Sequence, residues 1–177
     1  MYSSALAQLN KTESISKQVV RLALLSLAAT AIIYGLIFLF DPGTISAAND
    51  VESFEAAPWV VGIFIGPPIE TLLFQTLLLL AVKRITEISG QPDNWLPAFI
   101  ATSIVFATAH GLTESTIYLG FINTLTRIPL SMALALLAIS QRTKEGGMPF
   151  IAVSFTHGFY NLMIFVVVVV ANLILLN

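Results

Sequence analysis

Residues 19–40 read VVRLALLSLAATAIIYGLIFLF, and one charge, Arg21, stands at the edge of the run. As a helix rising ~1.5 Å per residue, this stretch is roughly 33 Å long, enough to cross the hydrocarbon core of a bilayer. It predicts a transmembrane helix. The residues before it, 1–18 (MYSSALAQLNKTESISKQ), form a polar arm with Lys11 and Lys17. A cleaved signal peptide is the alternative, with Ser46-Ala47-Ala48 supplying small residues for cleavage. A signal h-region is only about 7–15 residues long, however, so the length of the run favours an uncleaved first span.

The rest of the chain repeats this pattern. An acidic loop (Asp41, Asp50, Glu52, Glu55) leads to a second apolar stretch from about Trp59 to Val82, interrupted by Gly66-Pro67-Pro68. Lys83 and Arg84 open a polar loop that closes at Asp93-Asn94. A short third span runs from Trp95 to about Ala109, ending at His110-Gly111. Ser115–Ser140 is long enough for a fourth, and Pro149–Leu176 for a fifth. Of 177 residues, 56% are hydrophobic and 10% charged, with a mean hydropathy of +0.88. A soluble domain carries about 25% charged residues. The fold class expected is therefore all-α, a polytopic transmembrane bundle of about five spans with room for short or broken helices.

Charge fixes an orientation. Seven of the eight Lys and Arg residues fall in three places: the N-terminal arm with the adjoining Arg21, 83–84 and 142–144. With the N-terminus inside and five spans, all three places are cytoplasmic and the outer loops carry no basic charge. The C-terminus is then outside. The net charge of -2 points to neither a nucleic-acid partner nor a polybasic lipid-binding surface. No cysteine is present, which excludes thiolate nucleophiles, disulfides and Cys-ligated zinc.

Polar groups inside a membrane are costly, so each is a functional candidate. Here they are Glu70, Gln75, His110, Asn123, Arg127, His157 and Asn161, and they include both histidines of the chain. Counted at ~1.5 Å per residue from the cytoplasmic helix ends, Glu70 lies roughly 20 Å deep, His110 about 22 Å, His157 about 12 Å and Asn161 about 18 Å. Three helices thus bring polar groups to a zone near or outward of the midplane. His157 and Asn161 are i,i+4 and share a helix face, as are Phe106 and His110. Glu70 follows two prolines and is expected in the first turn of a restarted helix. Each has a plainer reading: an acid favoured at a helix N-terminus for Glu70, an interfacial or capping histidine for His110, interhelical hydrogen-bond glue for His157 and Asn161. Arg127 reads as structural, paired with a carboxylate or carbonyls. Trp59 and Trp95 read as interface anchors.

Glu70-Thr71-Leu72-Leu73-Phe74-Gln75, Phe106-Ala107-Thr108-Ala109-His110 and His157-Gly158-Phe159-Tyr160-Asn161 together resemble the CPBP family of intramembrane proteases, which are similar to CAAX prenyl endopeptidases and to bacteriocin self-immunity proteins. The family motifs are EExxxR, FxxxH and HxxxN or HxxxD, in this order on separate transmembrane helices. The resemblance covers about 55–165 of a single membrane domain, 19–177. The second and third motifs match in full. In the first, Thr71 stands for the second Glu and Gln75 for the Arg. Losing an acid and a base together removes one ion pair, which alters how Glu70 is oriented and charged.

The resemblance implies an intramembrane endopeptidase of a bacterial plasma membrane, acting on a peptide or membrane-protein substrate within the lipid bilayer. In it Glu70, with His110, would activate a water for attack on a peptide carbonyl. His157 and Asn161 would donate hydrogen bonds to the tetrahedral oxyanion. Glu70, His110 and His157 would also make a three-ligand zinc set. The lack of HExxH and the pairing of Asn161 with His157 favour metal-free water activation, so zinc remains the alternative and no cofactor is favoured. Two other functions fit the same residues: a non-catalytic membrane binding or immunity protein that grips a partner through this cavity, and a transporter component relaying protons. Five spans without an internal repeat speak against a stand-alone transporter.

Overall fold

A computed structural model of the protein describes residues 14–41 and 56–175. The described residues form five helical rods and no strand. They are α1 (Ile15–Phe40), α2 (residues 56–88), α3 (Leu96–Gly111), α4 (Ile117–Thr143) and α5 (Pro149–Leu175). Four rods are long and apolar enough to cross a membrane; α3, with 16 residues and a length of about 24 Å, is shorter than the hydrocarbon core. The bundle is that of an integral membrane protein. Its outer faces carry Leu25, Ile32, Leu39, Phe64, Ile104 and Phe155, all exposed, the surface that lipid tails cover in a bilayer. Most of the acidic loop after α1 lies outside the described residues, as does the arm before Ser14.

The centre is α4. Leu130, Leu134, Leu137 and Ile139 are fully enclosed there, and Ala133, Ala135 and Ala138 let the neighbouring rods approach. Polar side chains bind α1 to this centre. Ser26 and Thr30 donate to the main-chain oxygens of Pro129 and Thr126, and Tyr160 of α5 donates to Thr30. The helix begins at Ile15, before the apolar run, and its buried Gln18 accepts a hydrogen bond from Gln141 of α4 at 2.7 Å. Both tryptophans pack on partners: Trp59 lies 5.0 Å from the Phe165 ring, and Trp95 carries the Lys83 ammonium over its face.

The proline pair in α2 does not stop the helix. Instead the rod alternates in winding: α-helical at Ala56–Val60, π-helical at Val61–Ile65, α-helical at Gly66–Glu70, π-helical at Thr71–Leu78, and α-helical again at Leu79–Ile88. The ring of a helical proline collides with the carbonyl four residues back. For Pro67 that is Ile63 O, and for Pro68 it is Phe64 O. Widening the preceding turn moves these oxygens aside without ending the rod. Glu70 therefore closes a short α-helical segment inside a continuous helix and is not in the first turn of a restarted one.

Candidate active site

Proline chemistry begins the site. Gly66 N–H bonds Val61 O, five residues back, so it misses Gly62 O. The next residue that could reach Gly62 O is Pro67, which has no N–H. Asn161 of α5 takes that oxygen, its Nδ2 donating to Gly62 O at 2.7 Å. α5 comes this close because residue 158 is glycine: a Cβ there would lie 2.7 Å from Ile63 O. Thus the two carbonyls disturbed by the prolines both meet α5, one at a donor and one at a bare backbone.

His110 is held in a similar way. α3 ends where Gly111 crosses Gly120 of α4, and a Cβ on Gly120 would stand 2.6 Å from Gly111 O. Asn123 Nδ2 donates to His110 O at 3.1 Å and to Glu114 Oε1 at 2.6 Å, which pins the α3–α4 turn. Arg127 Nε donates to Asn123 Oδ1 at 3.3 Å, so its partner is the side-chain carbonyl of an amide.

These supports bring three of the four candidate side chains into contact. Glu70 Oε2 lies 3.3 Å from His110 Nε2 and 3.8 Å from His157 Nε2. The Phe106 ring fills the space between the imidazoles, 4.6 Å from one and 5.5 Å from the other, and is itself packed edge-on by Phe74 at 5.4 Å. A Cβ at Gly66, one turn before Glu70, would lie 3.5 Å from Oε1, in ordinary contact. His157 is 1% exposed, while His110 and Glu70 are 21% and 30% exposed. Glu70 and His110 are thus partly exposed, and His157 is enclosed beside them.

The tautomer of His110 follows from its other nitrogen. Nδ1 is 2.9 Å from Phe106 O, a carbonyl that only accepts, so Nδ1 carries a proton. Nε2 and the Glu70 carboxylate would otherwise meet lone pair to lone pair. A proton on either of them makes the contact attractive. Asn161 sits one turn beyond His157 and has a second N–H besides the one given to Gly62 O.

Thr71 and Gln75, the departures in the first motif, are both buried, and Thr71 Oγ1 and both amide atoms of Gln75 have no hydrogen-bonding partner among the described residues. They place no charge beside Glu70. Among the described residues no group of three His, Cys, Asp or Glu side chains is arranged to hold a metal ion. Both imidazoles address one oxygen of the same carboxylate.

Sequence reasoning missed the supports. Gly111 beside His110 and Gly158 beside His157 were the available signal, since small residues in membrane helices mark close crossings. The roles of Phe106 O and Gly62 O had no signal of their own, because a carbonyl is present at every residue.

Comparison with known proteins agrees with the motifs. A family model described as type II CAAX prenyl endopeptidase Rce1-like matches residues 52–163, a stretch that contains Glu70, His110, His157 and Asn161. No curated protein and no solved structure matches the chain.

Proposed function

The chain belongs to the Rce1-like family of type II CAAX prenyl endopeptidases, CAAX-type intramembrane proteases, and from this we propose that it hydrolyses a peptide bond within the membrane by means of Glu70, His110, His157 and Asn161. The observation that carries the reading is the meeting of the Glu70 carboxylate with both histidines, at 3.3 and 3.8 Å, from three separate helices. With no proton between its members, the Glu70–His110 pair can take one from water as the oxygen attacks the carbonyl carbon. It can then return that proton to the leaving amine. Phe106 O keeps His110 in the tautomer whose Nε2 can do this. The tetrahedral oxyanion would be met by the free N–H of Asn161 and by His157, donors held in place before the charge develops. In this reading the N-terminal arm is cytoplasmic and the substrate is a peptide or membrane protein.

Peptide cleavage by the purified protein in detergent or lipid, with Glu70→Gln as its partner, tests the proposal. Loss of the proton acceptor is expected to lower the rate by about 100- to 10,000-fold with the fold intact. Normal cleavage by Glu70→Gln would remove Glu70 from the role of base. A wild-type protein that binds peptides yet never cuts one would favour the binding-protein reading.

A further inference from the structure

The return from π- to α-helix in α2 displaces a second hydrogen bond. In an α-helix, Leu79 N–H would bond Gln75 O. It goes instead to Phe74 O and Thr76 O. Gln75 O accepts from Arg142 Nη2 of α4 at 3.0 Å. Arg142 is half-buried, and its Nε is enclosed without a partner among the described residues, so the guanidinium is drawn inward to this one carbonyl. The arrangement mirrors the one at the other side of Glu70, where Asn161 takes Gly62 O. Each of the two widened segments flanking Glu70 thus has a displaced carbonyl that is met by a side chain of another helix.

The ends of α2 are fixed independently. Toward the loop after it, the buried Lys83 bonds Pro92 O and lies over Trp95. At the other end, Asn161 and Gly158 dock α2 on α5. Measured from the end held by Lys83, the winding of residues 71–78 sets the face on which Glu70 emerges. Closing one widened turn to α-helix would rotate it by on the order of 100°, the angle of one residue. In the widened form Gln75 O is released by Leu79 N–H and accepts from Arg142.

We propose that Arg142 is a positioning residue: by donating to Gln75 O it holds the Thr71–Leu78 segment in its π winding, and so keeps the Glu70 carboxylate turned toward His110 and His157. This rests on the reading of Glu70, His110 and His157 as one site.

The chain contains only two histidines, so imidazole-15N labelling of histidine gives two sets of signals that can be read without any substrate. Replacing the carboxylate in Glu70→Gln is expected to shift both sets. Arg142→Met is expected to move them to the Glu70→Gln positions, and Arg142→Lys, which keeps a long charged donor, to restore those of the wild type. If Arg142→Met does not fold, Arg142→Gln, polar but too short to reach Gln75 O, replaces it with the same expectation. Should Glu70→Gln shift the signals while the folded Arg142 variant leaves them at wild-type positions, the positioning role is overturned and the site stands. A folded Arg142→Lys that fails to restore them overturns the hydrogen-bond route. If Glu70→Gln moves neither set, the site and the inference resting on it fall together.

Discussion

Gly158→Ala tests the docking of α5 on α2. The new Cβ would lie 2.7 Å from Ile63 O, where ordinary contact begins at 3.4 Å, so the helices must part by about 0.7 Å. Ile63 O is main chain in a rod already held by prolines, which leaves little else to yield. The same separation stretches the 2.7 Å Asn161–Gly62 O bond to about 3.4 Å, beyond good hydrogen-bond length. It also moves His157, the neighbour of residue 158, relative to Glu70. Overpacking of this kind costs about 1–3 kcal/mol. Alanine in place of a helical glycine returns about 1 kcal/mol of intrinsic propensity. Gly35→Ala cancels that gain, because residue 35 is also helical and a Cβ there meets nothing within 4 Å. Against Gly35→Ala, Gly158→Ala should melt roughly 2–10 °C lower in the same detergent. Its cleavage rate should fall about 10- to 100-fold, as small misplacements of catalytic groups do. If the two variants melt together and Gly158→Ala cuts at the wild-type rate, close approach at Gly158 does not set the site.

Asn161→Ala is expected to slow turnover about 100- to 1000-fold with little change in substrate binding, the signature of a donor needed mainly in the transition state. Asn161→Asp should be worse, because it turns an acceptor oxygen toward Gly62 O; weaker binding with an unchanged cleavage rate would instead make Asn161 a substrate-gripping residue. Chelators are expected to leave activity largely intact, and stoichiometric zinc lost together with activity in His110→Ala would overturn metal-free water activation. For topology, single cysteines at Ser53 and Asn177 should react with an impermeant maleimide from outside intact cells, and those at Ser3 and Ser89 only after permeabilisation. Labelling of Ser89→Cys but not Ser53→Cys from outside would sink the inward N-terminus.

Hydropathy and charge made the membrane bundle legible. A run such as 19–40 has to be covered by lipid or protein whatever its neighbours do, and its length alone decides that it can span. The cost of burying Glu70, His110 and His157 in a membrane singled them out before any contact was known. Their meeting at one carboxylate was suggested by depth along each helix, and the bundle placed them in contact. The second proline-bearing span was read as broken at Gly66-Pro67-Pro68, whereas the rod widens and continues. A proline dictates locally which N–H is missing, but not how the chain accommodates the loss. That was decided by α4 and α5, which supply Arg142 to Gln75 O and Asn161 to Gly62 O. The sequence by itself thus determined that the chain is a bundle of apolar helices and which ionisable groups those helices carry, because transfer from water to lipid is summed residue by residue. Only the tertiary structure decided which carbonyls of α2 are displaced and which side chains meet them, because those bonds exist only where glycines let two helices touch or a long arginine spans the gap.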